Sequence, residues 1–201
     1  YVYIRLEFNA DAFPNGEPAL SFLVKGKKIY NPNTSATAWS DNAALCLRDY
    51  LTSVNGLNAS DSEIDDTLFA AAANVCDETV TLAAGGTEKR YTANGSFTTA
   101  DTPRGLIDNL LTSLAGTIWN AQGKWRLKAA AYTTPLVAFT EDDLRSSIKI
   151  STRHSRRNNF NTVKGIFRGA ETNFTPSDYP QVTSTAFKTI DGGDESTIDF
   201  N

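Results

Sequence analysis

The chain has 201 residues, with 19 Lys plus Arg against 23 Asp plus Glu, one His, and a formal net charge of −4. Hydrophobic residues make up 40% and charged residues 21%, which fits a globular chain able to bury a core and excludes disorder. The longest apolar run, residues 68–76, carries Asn74 and falls well short of the roughly 20 residues a membrane-spanning helix needs.

In chain order, residues 1–8 alternate apolar and other side chains and predict a strand. The chain contains no Met, and a strand-like opening at Tyr1 is expected of a piece excised from something larger. A turn-rich stretch follows over 9–18. Residues 20–24 and 27–30 predict short strands on either side of Gly26, the second ended by Asn31-Pro32. Residues 42–55 predict a helix with Leu47, Tyr50, Leu51 and Val54 on one face. Ser40 or Asp41 is the expected N-cap and Gly56 the expected left-handed stop. A second helix is expected over 64–76, preceded by two capping-box candidates, Ser60 with Glu63 and Ser62 with Asp65.

Residues 79–83 and 89–93 predict a hairpin around Gly85-Gly86. The clearest helix starts at Thr102 as cap and Pro103 at its first position. It carries Leu106, Ile107, Leu110, Leu111 and Leu114 on one face and ends at Gly116. Residues 117–119 and 124–128 predict another hairpin, with Trp125 and Leu127 on its core side. Beyond residue 131 strands are expected at 148–151, 160–168, 182–189 and 196–200, with one helical turn at 140–143 and a turn at Asp191-Gly-Gly193. The expected class is α+β: a helix-bearing central α+β part at 37–130, flanked by β-rich segments at 1–36 and 131–201.

Catalytic chemistry has little to work with. His154 is the only His, so a Ser-His-Asp or Cys-His scheme would have to use it, and no Gly-x-Ser-x-Gly elbow accompanies it. Asp65-Asp66 and Glu141-Asp142-Asp143 are adjacent carboxylates at helix starts, where the helix dipole explains them. Cys46 and Cys76 lie in apolar helical patterns and read as reduced core thiols. Nothing points to a metal, a cofactor or a catalytic residue. The local feature that stands out is basic: Arg145, Lys149, Arg153, Arg156, Arg157, Lys164 and Arg168 occur in one stretch without an acidic residue. Such a stretch suits an acidic surface, whether a neighbouring subunit or nucleic acid.

Several segments then resemble one family in the same order. Lys25-Gly-Lys-Lys-Ile-Tyr-Asn-Pro32, Asn42-Ala-Ala-Leu-Cys-Leu-Arg-Asp-Tyr-Leu-Thr-Ser53 and Ala71-Ala-Ala-Asn-Val-Cys-Asp77 come first. Arg90-Tyr-Thr-Ala-Asn-Gly95, Leu106-Ile-Asp-Asn-Leu-Leu-Thr-Ser-Leu-Ala-Gly116 and Gly123-Lys-Trp-Arg-Leu127 follow. Thr140-Glu-Asp-Asp-Leu144, Arg153-His-Ser-Arg-Arg157, Phe160-Asn-Thr-Val-Lys-Gly165 and Asp191-Gly-Gly193 complete the series. Together they resemble lambda-type phage tail-tip attachment, or tail hub, proteins from about residue 20 to 200.

The resemblance implies an internal segment of a virion structural protein, from a phage or prophage, and no enzyme. It implies barrel-like hub segments around the central part and work at the base of the central tail fibre in tail assembly and host attachment. The implied location is the virion tail tip, assembled in the bacterial host cytoplasm. The implied partners are other tail-tip subunits in a homotrimeric parent, although this segment alone can be monomeric. Arg153, Arg156, Arg157, Lys164 and Arg168 would then face a neighbouring chain, or DNA or tape-measure protein in the lumen. The alternative is a carbohydrate- or receptor-binding adhesin module, in which Trp39, Trp119 and Trp125 stack on sugar rings.

Overall fold

A computed structural model describes residues 3–7, 9, 11, 13, 16, 19–20, 22–82, 85–152, 155 and 158–200. The chain divides into two units, residues 24–136 and a second made of 1–23 with 137–201. Helices and small sheets occur together, so the class is α+β. No closed barrel forms among the described residues, where the largest sheet has four strands.

In the 24–136 unit, strands β1 (Lys28–Asn31) and β2 (Ala36–Trp39) form an antiparallel hairpin. Ile29 points into the core, so β1, expected in an amino-terminal segment, packs on the central helices. Helix α1 (Ala43–Thr52) follows. Its cap is Asn42, not Ser40 or Asp41. Asn42 Oδ1 accepts from the Ala44 and Leu45 amides, and its Nδ2 donates to Ala73 O at 2.9 Å. An amide can cap one helix with its oxygen and tie a second with its nitrogen, which an ionised carboxylate, having no donor, cannot do. Asp41 instead accepts from Lys89 Nζ at 3.0 Å.

Helix α1 ends at Ser53. Gly56 is not in the left-handed region; it is required because a Cβ there would collide with Tyr50 O. The left-handed residue of this turn is Asn58, with φ 52°, an amide side chain that tolerates the conformation.

The Ser60–Glu63 capping box forms, but on a single 3₁₀ turn at Asp61–Glu63. Helix α2 (Asp66–Asp77) then starts from its own cap, Asp65, whose carboxylate accepts from Leu68 N at 3.4 Å. Strands β3 (Thr79–Thr81) and β4 (Thr87–Lys89) make a hairpin at the expected place, but its second strand lies ahead of the expected 89–93 and shares only Lys89 with it. Helix α3 (Pro103–Ser113) has Thr102 as cap and Pro103 at its start. Its left-handed exit residue is Ala115, with φ 46°.

Strands β5 (Thr117–Ala121) and β6 (Lys124–Lys128) close on Gln122-Gly123. Both turn residues have positive φ, 56° and 74°, the geometry that matches strand twist in a two-residue hairpin. Leu127 and Trp125 face inward as expected. Leu45, Leu47, Leu51, Phe69, Cys76, Leu114 and Leu127 are fully buried together. Helix α1 lies at the centre, against α2, α3 and β1.

In the other unit, strand β7 (Thr162–Phe167) pairs in parallel with β10 (Thr197–Phe200). On its other side it pairs antiparallel with two short strands, β8 (Ser177–Asp178) and β9 (Val182–Thr183). The strand expected over 182–189 stops at Thr183, and helix α4 (Thr185–Ile190) takes the rest. Ser184 accepts from Phe187 N at 3.4 Å, and the Gly192 and Gly193 amides donate to Thr189 O and Lys188 O. Hydrogen bonds at both ends decide this segment against its β-branched Thr-rich composition.

Residues 3–7, 22–24 and 147–151 form no strand. Alternation marks a chain able to join a ladder, but a strand exists only where a partner takes its hydrogen bonds. The last expected strand does form, and β7 is its partner.

Candidate interaction surfaces

The basic stretch was the leading sequence candidate. Arg153, His154, Arg156 and Arg157 lie outside the described residues. Arg145 and Lys149 are exposed on irregular chain. Lys164 is exposed on β7 and sits 3.5 Å from Asp199, its register partner on β10. The stretch, acid-free in sequence, is therefore partly neutralised in space by a strand from farther along the chain. Arg168 is exposed just past β7.

Below Lys164 the sheet is pinned by Asn161. This side chain is 4% exposed. Its Nδ2 donates to Asp191 Oδ2 at 3.0 Å and Asp194 O at 2.9 Å, and its Oδ1 accepts from Ser196 N at 3.1 Å. Thr162 Oγ1 lies 3.0 Å from Thr183 Oγ1. These bonds use the polar groups that face a small cavity of about 50 Å³ lined by Asn159, Asn161, Asp191, Asp194 and Ser196. The arrangement fixes the start of β7 against the Asp191–Gly193 turn.

The tryptophans divide. In the β5–β6 register Trp119 opposes Arg126, and Trp125 opposes Asn120. Side chains alternate along a strand, so Trp119 and Trp125 lie on opposite faces of the hairpin. Trp125 packs on the core, and Trp119 faces outward. Trp39, on β2, carries Lys25 Nζ 5.1 Å from its ring, a cation–π contact at an exposed site. The hairpin thus offers no two-ring platform for a sugar.

Three of the five carboxylates considered for catalysis, Asp65, Asp66 and Asp143, have structural partners. Asp65 caps α2, and Asp143 accepts from Thr140 N at 2.8 Å. Asp66 makes two hydrogen bonds to Arg48, at 2.7 and 3.0 Å. Arg48 also reaches Asp61 Oδ1 at 3.1 Å, and its guanidinium lies 4.8 Å from the Tyr30 ring centre. Burial opposes the Arg48 charge, but hydrogen bonding and attraction to Asp66, then Asp61, outweigh it and raise its pKa. Arg126 Nε lies 3.3 Å from Asp65 Oδ2 without hydrogen-bond alignment, a contact of charge only.

Cys46 and Cys76 are free thiols. Burial first, then the nearby Asp49 and Asp41 charges, pushes Cys46 up to about 11. Burial also raises Cys76. Both are poor nucleophiles at neutral pH. Among the described residues no group of three His, Cys, Asp or Glu side chains could hold a metal ion. No helix there is long and apolar enough to cross a membrane.

Pattern reading of the sequence missed what the structure shows most plainly, which is apolar surface left uncovered. Tyr132, Leu136, Val137, Phe139, Leu144, Ile148 and Ile150 are all exposed, Leu136 at 99% and Phe139 at 82%. Tyr132 and Leu136 belong to the 24–136 unit and the other five to the second unit, where at roughly 100 Å² for each large apolar side chain they leave on the order of 500 Å² exposed. Exposed apolar side chains in such numbers within one stretch are what an interaction surface offers. The usable signal was the density of large apolar residues between 132 and 150 with little regular structure to bury them.

No protein-family model matches the chain, and no curated protein matches it.

Proposed function

We propose that this chain works as a structural part of a lambda-type phage tail tip, in the hub at the base of the central tail fibre. Its task there is assembly of the tail and, through it, attachment to the host. The observation that carries the reading is the exposed apolar stretch from Tyr132 to Ile150. In water such side chains cost about 25 cal/mol for every Å² left uncovered, so a neighbour in an assembly is the natural cover. The ordered resemblance from residue 20 to 200 supplies the identity of that neighbour, another tail-tip subunit. Lys164, Arg168 and the neighbouring arginines Arg153, Arg156 and Arg157 would add charge steering toward an acidic neighbour or the lumen contents.

The test is a charge placed on this surface within the intact parent. Leu136→Asp with Phe139→Asp should leave folding of the chain unchanged and stop tail assembly, leaving tailless heads. Normal tails carrying both substitutions would overturn the reading.

A further inference from the structure

We infer that Asn94 is a site of spontaneous deamidation, selected by the fold over the chemically equivalent Asn55. Both asparagines precede glycine. In that pair the glycine amide nitrogen attacks the asparagine Cγ, ammonia leaves, and a five-membered succinimide forms. Water then opens the ring to aspartate or to isoaspartate, so the side-chain nitrogen is lost as ammonia and one water oxygen is gained. No oxidant, cofactor or enzyme is required. Asparagine is thermolabile for this reason. The attack needs a free glycine N–H and a backbone that can rotate.

The structure removes both conditions at Asn55. Gly56 N donates to Ser53 O at 2.9 Å, and the Gly56 Cα is pressed against Tyr50 O so closely that a Cβ would not fit. The comparable Asp191–Gly192 bond is also held. Gly192 N donates to Thr189 O at 3.1 Å, and Asp191 Oδ2 accepts from Asn161. At Asn94 neither restraint exists. Gly95 N makes no hydrogen bond among the described residues, and space around Gly95 is open to 4 Å. Asn94, Gly95 and Ser96 are all exposed. The remaining Asn–Gly pair includes Asn15, outside the described residues.

The position gives the change a structural consequence. On one side Ala93 N donates to Asp41 O at 2.8 Å, and Thr92 bridges Asn42, the buried cap of α1. On the other side the Phe97 ring meets Tyr50 edge-on at 5.3 Å. An isoaspartyl link inserts one backbone carbon between these anchors and adds a negative charge.

The test incubates the folded chain in warm, mildly alkaline buffer and follows the peptides containing Asn94 and Asn55 by mass. The Asn94 peptide should gain about one dalton and yield isoaspartate, while the Asn55 peptide stays intact. In denaturant both should convert. Gly95→Ala, which meets no neighbour, should slow conversion at Asn94 without unfolding the chain. Equal conversion of both sites in the folded chain, or conversion of neither while denaturant converts both, would overturn the inference.

Discussion

Arg48 should be far less tolerant of losing Asp66 than Asp66 is of losing Arg48. The Arg48 side chain is 5% exposed, whereas Asp66 is 41% and Asp61 81% exposed. Asp66→Asn therefore strands a guanidinium that water cannot reach. Breaking a buried pair in this direction costs roughly 3–5 kcal/mol, and the surviving Asp61 contact should hold the loss to about 2–4. Arg48→Met keeps the volume and leaves two carboxylates that water can solvate. Its cost is the hydrogen bonds and the Tyr30 contact, about 1–2 kcal/mol in sum. Asp61→Asn should cost less than about 1 kcal/mol, because its carboxylate is exposed. The double variant, Arg48→Met with Asp66→Asn, should be more stable than Asp66→Asn alone, since the second change removes the stranded charge. Urea titration followed by tryptophan fluorescence measures this cleanly, because Trp39, Trp119 and Trp125 all lie in the 24–136 unit. Midpoints should move with the slope unchanged. If Arg48→Met costs as much as Asp66→Asn, or the double variant is the least stable, the burial argument is wrong.

Three further outcomes follow from the same structure. Asn42→Ala should destabilise the 24–136 unit by about 1–3 kcal/mol in the same titration, because it removes a buried cap and the hydrogen bond that ties α1 to the Ala73 carbonyl of α2. The Cys46 thiol titrates at about 11 when folded against 9.0 for the unconstrained group. Its contribution is thus fully present below pH 9.0 and lost as pH rises toward 11, on the order of 2–3 kcal/mol; urea midpoints across that window check it, and Cys46→Ala should flatten the slope. Phe139→Asp, on exposed irregular chain, should change the urea midpoint by no more than about 0.5 kcal/mol of stability.

Local signals were legible where a residue acts on its own neighbourhood. Thr102-Pro103 fixed the start of α3, the 3.6-residue spacing of Leu106 to Leu114 fixed its inward face, and Leu127 alternation fixed the inner face of β6. Choices that depend on distant partners were not legible. Asn42 wins the α1 cap because Ala73, on α2, takes its amide, and Asp41 is drawn off by Lys89. The 182–189 segment contains enough β-branched residues to read as a strand, and end caps at Ser184 and Gly193 turn it helical. Lys164 read as part of an acid-free stretch until β10 brought Asp199 beside it. Segments 3–7 and 148–151 carry alternation without a ladder partner. The exposure of Leu136 and Phe139 shows locally only as a density of large apolar residues with little regular structure to bury them.

The central claim is that this chain sits in a phage tail tip with its apolar stretch covered by a neighbour. Cryo-electron microscopy of the intact tail tip tests it directly. The account predicts density for this chain at the tube end, with Leu136, Phe139 and Ile148 packed against side chains of an adjoining subunit. Finding the chain absent from the tail, or finding those three side chains facing solvent within it, would contradict the account.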